Sequence, residues 1–145
     1  MAYRLEAGES VSKGIKRIAT EQITKAIADL SAADETSIDV SVHQARKRLK
    51  KTRAVVRLVR DRIGKDLYKQ ENARYRDIGR KLANLRDARV KIVTLDKLNA
   101  LFADETCNFA DISQELQNNY HREYQRVLDE GIIVSVKNEL KDAKI

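Results

Sequence analysis

The chain has 145 residues with no proline, five glycines, 5% aromatic and 35% charged residues, a composition that favours an all-helical protein over a sheet. No apolar run approaches the ~20 residues that a membrane span needs, and the N-terminus MAYRLEAGES lacks a signal-peptide core. The single cysteine, Cys107, excludes an internal disulfide, cannot supply a zinc site and suits a reducing cytoplasm; with no apolar span and no Trp or Phe on its basic helix, no membrane partner is expected of this +7 chain.

Four helical stretches are predicted in one domain spanning 1–145. The first runs from Val11 to Leu30, with Ile15, Ile18, Ile23, Ile27 and Leu30 on one side, and the polar segment SAADETS ends it. The second runs from Val40 to Ile63. Ser41 with Gln44 reads as its capping box, Asp39 is a rival N-cap, and Gly64 is placed to end it with a positive φ. The third, from Asp66 to Ala103, carries Tyr75, Ile78, Leu82, Leu85, Ile92, Leu95, Leu98 and Phe102, with Arg89 interrupting the seam. Asn84 and Asn99 are candidate bends, and DETCN closes it. The fourth, from Phe109 to Leu140, carries Ile112, Leu116, Tyr120, Tyr124 and Val127, and Gly131 followed by IIVSV is its weak point. Short connections favour antiparallel neighbours, so the expected fold is an all-α antiparallel four-helix bundle with long helices.

Charge is concentrated in the second helix. Residues 42–62 hold nine Lys or Arg against one acid, Asp61, a net +8, so the remainder of this +7 chain sums to −1. Val42, Ala45, Leu49, Thr52, Val56, Val59 and Ile63 form one apolar seam. His43, Arg46, Lys50, Arg53, Arg57 and Arg60 follow the same rhythm one position later, a cationic stripe about 100° around the helix. A solvated face is the plain alternative. Solvated helices, however, usually pair Glu with Lys at i, i+4, whereas Arg46–Lys50, Lys50–Arg53 and Arg53–Arg57 are like-charge neighbours. The stripe also borders the apolar seam, which places it at the edge of a groove. It reads as an anion-binding face.

His43 is expected in the first helical turn, where free N–H groups and the macrodipole favour anions; no Cys, His or carboxylate stands at metal-ligand spacing from it. On the third helix Arg80 and Arg86 are candidates for the same groove, with Asp87 available to orient an arginine. Arg17 on the first helix and His121 on the fourth are lone polar residues near apolar seams. A glycine-rich phosphate loop, HExxH, GxSxG and a carboxylate pair in an apolar setting are all missing from the sequence, so no enzymatic activity and no cofactor is expected. A nucleic-acid backbone and an acidic protein partner are rival ligands for the stripe. Single-strand binders stack bases on exposed aromatics, and most Tyr and Phe here lie on helical seams.

The segment VHQARKRLKKTR, Val42 to Arg53, resembles the signature helix of the conserved histidine α-helical domain family, CHAD, roughly V-H-x-x-R-V-x-x-R-R-L-R. Val42, His43, Arg46 and Arg53 match directly and Lys50 and Lys51 match in charge, while Lys47 and Thr52 depart from it. The segment YRLEAGESVSKGIKRIATEQITKAIADL is similar to the family's N-terminal helix and places Arg17 in its basic position. Leu82–Val90 is similar to a second element, L-x-x-L-x-x-x-R-D-x-D-V, with Arg86, Asp87 and Val90 matching and Arg89 in place of the acid. The resemblance runs from Tyr3 to Leu95. It implies a module that binds inorganic polyphosphate through Arg17, His43, Arg46, Lys50, Lys51, Arg53, Arg57, Arg80 and Arg86, in association with polyphosphate granules. Complete family members look like two four-helix repeats, and this chain is long enough for one, which makes a homodimer the expectation.

Overall fold

In a computed structural model, which describes residues 3–103 and 109–143, the chain is all-helical. The described residues form seven helices and no strand: α1 (Val11–Ser31), α2 (Ile38–Leu58), α3 (Arg60–Ile63), α4 (Lys65–Lys81), α5 (Ala83–Leu101), α6 (Ala110–Asp129) and α7 (Ile132–Asp142). The segment DETCN, with Cys107, lies outside the described residues.

Three expected helices are thus divided. The second is interrupted at Val59, and α3 stops on Gly64, whose φ of 87° is open to glycine alone at low cost. The third breaks at Leu82 rather than at Asn84 or Asn99. There the Leu82 N–H bonds back only three residues, to Gly79 (3.2 Å), and the next turn is loosely joined through Arg86 N–H to Leu82 C=O (3.4 Å). Leu82 is fully buried, as are Ile78 and Leu85 on either side of the break, so the apolar seam continues across it. The fourth breaks at Gly131, where φ is 58°.

The start of α2 also differs from expectation. Ile38 is buried in the core and draws the helix back beyond Val40, so no capping box forms at Ser41, which is buried within the helix. The turn before α2 is instead organised by Asp34, whose carboxylate accepts from the Thr36 and Ser37 N–H groups and the Thr36 hydroxyl. Those bonds hold its carboxyl down at about 2.

One core cluster joins Ile23, Ala26 and Leu30 of α1, Val42, Ala45, Leu49 and Val56 of α2, Tyr75 and Ile78 of α4, Leu82, Leu85 of α5, Val127 of α6 and Val136 and Leu140 of α7. A satellite of Ile18, Ala19 and Val55 closes the far end of α1 against α2. Val59 and Ile63, the last two residues of the α2 seam, are only partly buried because the helix breaks there. Beyond Leu95 the seam of α5 is no longer buried: Leu98 and Phe102 are exposed, as is Ile112 near the start of α6. At Arg89 the seam passes to Ala88, which is buried, and Arg89 turns outward to Asp39 (3.6 Å). The Tyr120 hydroxyl donates to the same Asp39 carboxylate (2.9 Å), tying α6 to the start of α2.

The site depends on how α2 lies against α4 and α5. Arg53 meets Asn72, Leu49 lies beside Gly79, Arg46 meets Asp87 and Asp39 meets Arg89. Numbers fall on one side as they rise on the other. The two segments therefore run in opposite directions, and the α2 stripe faces α4 and the start of α5.

Candidate functional site

Between α2 and α4 lies a cleft of about 330 Å³ lined by Arg46, Leu49, Lys50, Arg53, Tyr75, Arg76, Gly79, Arg80 and Ala83. Five of these nine are cations and none is an acid. The floor is apolar and small: Gly79 and Ala83 stand four residues apart on α4 and its continuation, so backbone rather than side chain faces the opening. A Cβ at Gly79 would meet only the Leu49 Cδ1, at 3.8 Å.

Most of the cations are aimed. Arg53 Nε donates to Asn72 Oδ1 at 3.0 Å, a neutral acceptor that fixes the guanidinium without neutralising it. Arg76 Nε donates to Asp77 (2.9 Å), which also lies 3.7 Å from Arg80. Arg46 is 3.7 Å from Asp87, so this aspartate orients an arginine on α2 rather than its sequence neighbour. These acids stand outside the cleft lining, on its flanks. Lys50 makes no ion pair among the described residues. Tyr75 is buried in the floor, and burial, with the Glu71 carboxylate nearby, pushes its hydroxyl up to about 12.

Of the residues chosen from sequence, Arg46, Lys50, Arg53 and Arg80 line the cleft. His43 and Arg86 stand together at one end of it, beyond Arg46. His43 lies in the second turn of α2, not the first, because the helix begins at Ile38, and its N–H is past the free amides. What surrounds it is cationic: partial burial first, then Arg86 of α5 and Lys47, Arg46 and Lys50 of α2, hold its pKa below the usual 6.5. Arg57 continues the α2 stripe at the other end, exposed.

Arg17 and Lys51 stand apart. Arg17 grips Glu9 with two bonds (2.6 and 3.1 Å), reaches Glu21 (3.3 Å) and donates to the Arg4 carbonyl (2.9 Å). It fastens the N-terminal arm to α1, and it holds the Glu9 carboxyl down at about 2. Lys51 sits over the Tyr3 ring, 5.2 Å from its centre, while the Tyr3 hydroxyl donates to the Lys51 carbonyl. His121 is exposed and meets the Tyr120 ring edge to face. Sequence reasoning passed over Arg76, Asn72 and Gly79. Arg76 had a legible signal, its spacing of four from Arg80, whereas Asn72 and Gly79 matter only through what α2 places opposite them.

Among the described residues no three His, Cys, Asp or Glu side chains are grouped to hold a metal ion, and no helix is long and apolar enough to cross a membrane. The arrangement offers forked and point-charge donors over an apolar floor, which suits a chain of anionic groups.

No curated protein and no solved structure matches the chain. The family model of the CHAD domain matches residues 21–142. That range takes in α6 and α7, where no motif was legible, and leaves out Arg17. With most of its length matched, and with the signature helix forming one wall of the cleft, the chain belongs to the CHAD family.

Proposed function

We propose that this protein binds inorganic polyphosphate in the α2–α4 cleft and performs no chemistry on it. The observation that carries the reading is the lining itself, five cations with no acid over a floor of Leu49, Tyr75, Gly79 and Ala83. Membership of the CHAD family, which is associated with polyphosphate, supports it. A linear phosphate chain presents charge at every repeat and nothing to stack. The cleft answers both properties, because its one aromatic, Tyr75, is buried as floor and presents no exposed ring to a base. That favours polyphosphate over a nucleic-acid strand. Arginines grip phosphate oxygens as forks, Lys50 serves as a mobile point charge, and affinity falls steeply with salt.

The same reading covers the larger assembly and the setting. The helices group as four antiparallel layers, α1, α2–α3, α4–α5 and α6–α7. Two chains pair so that a second basic face completes the site, and the protein works in the cytoplasm at polyphosphate granules.

The test is calorimetry with polyphosphate on the Arg46→Ala, Lys50→Ala double variant. Both side chains lie off the buried seam, so the fold is retained. Each lost charge-assisted contact costs about 1.5–3 kcal/mol of binding. Undiminished binding by a folded double variant would remove the cleft as the site.

A further inference from the structure

The cleft spans only Arg46 to Arg53 along α2, seven residues or about 10 Å of helix. The facing cations continue well past it. On α4, Lys65, Lys69, Asn72, Arg76 and Arg80 recur at three and four residues, which places them on one stripe. Its orientation is fixed by contacts: Asn72 meets Arg53, and Arg76 and Arg80 line the cleft. Lys69 and Lys65 therefore lie on the same side, one and two turns beyond Asn72 respectively, where the antiparallel register brings Arg57 of α2 toward them.

All three cations are exposed and none makes an ion pair among the described residues. Their position is also unfavourable to the helix. Lys65 stands in the first turn of α4, where the macrodipole repels cations, and Lys65–Lys69 is a like-charge i, i+4 pair. The nearby acids are turned elsewhere: Asp66 is one residue, about 100°, off the stripe, and Asp61 is exposed on the α3 turn beside Arg60.

Resting on the reading of the cleft as a polyphosphate site, we infer that the cleft is the middle of a linear track, and that Arg57, Lys65 and Lys69 form an outer subsite engaged only by long chains. From Lys65 to Arg86 the α4–α5 wall is about 31 Å long, roughly three times the cleft. A short phosphate chain fills the cleft; a long one continues over Arg57 and the two lysines. The protein thereby selects for chain length through contacts made in sequence along one groove.

The experiment compares tripolyphosphate with a long, narrowly sized polyphosphate by calorimetry at several salt concentrations. It uses the full chain, the Lys65→Ala, Lys69→Ala double variant, and a charge-matched control, Lys97→Ala with Lys141→Ala. The expected result is that the track variant loses on the order of tenfold in affinity for the long chain. Its log–log salt slope becomes shallower by about 1.4, two contacts on a single-stranded polyanion. Tripolyphosphate binding and the control variant are unchanged. Long-chain binding equal to wild type in the track variant would overturn the outer subsite while leaving the cleft intact. Equal losses in the track and control variants would overturn it too, by showing only a net-charge effect. Failure of the unaltered protein to bind either ligand would instead remove the cleft reading, and the track with it.

Discussion

His43 is the one group at the cleft whose charge changes near neutral pH. Partial burial first, then the charges of Arg86, Lys47, Arg46 and Lys50, hold its folded pKa below 6.5. The unfolded chain therefore takes up the proton first as pH falls. This group's contribution to stability is present above pH 6.5 and is lost as pH falls through the folded value. A bound polyanion reverses the local field and raises the pKa, so binding draws in a proton. Affinity for polyphosphate should rise as pH is lowered from 8 to 6, by up to tenfold for each unit the anion raises the pKa. Calorimetry on His43→Gln checks this by cancelling the titration of the ligand's own end groups. A pH dependence as steep in the variant as in the wild type would show that His43 takes no part. The same residue scale explains Arg17: Glu9, Glu21 and the Arg4 carbonyl take four of its five N–H donors and carboxylates neutralise its charge, so it offers little to an anionic ligand.

Gly131 divides two elements, whereas Gly79 lies inside one, and the two glycines are there for opposite reasons. Gly131 ends the α6 segment in the left-handed region at φ 58°, where a side chain meets its own carbonyl, so Gly131→Ala should destabilise the fold by about 1–2 kcal/mol. Gly79 is helical, and an added Cβ there has only ordinary contact with Leu49. Gly79→Ala should stabilise by about 0.5–1 kcal/mol through helix propensity. Urea unfolding of both variants checks the pair, the midpoint moving down for Gly131→Ala and up for Gly79→Ala. A lower midpoint for Gly79→Ala would mean that the floor of the cleft has less room than the Leu49 contact implies. Opposite signs for the two variants would show that Gly79 costs the helix stability at a point where a missing side chain leaves room in the cleft.

At the scale of the molecule, one wall of the cleft is a helix carrying most of the chain's excess charge, and self-repulsion across it opposes the folded state. An anion offsets that repulsion, so polyphosphate should raise the melting temperature. Ligand at a hundred times its Kd contributes about 2.7 kcal/mol. Pairing of two chains brings two such faces together, so the dimer should form with the anion and weaken at low salt without it. Light scattering with chains too short to string proteins together distinguishes the cases. A monomer in both conditions, binding at full affinity, would show that a single copy completes the site. Exposed apolar residues at the C-terminal end of α5 and the start of α6, Leu101 at 77% among them, make that end, rather than the basic face, the alternative contact.

Periodicity and charge already held much of this. The buried Val42–Ala45–Leu49–Thr52–Val56 seam, the cationic stripe one position behind it, the glycine stop at Gly64 and the weak point at Gly131 are local properties, written within a few turns of helix. What lay beyond reach was every feature that depends on which helix faces which. Asn72 is an unremarked polar residue until the antiparallel register sets it 3.0 Å from Arg53. Arg17 passes for a site cation until the N-terminal arm folds back and gives it Glu9. Leu82 fits an unbroken seam and is buried with it, yet the helix is interrupted there. A periodic pattern specifies the face a side chain takes on its own helix; the partner it meets is set by packing between segments distant in the chain, and that is where the cleft arises.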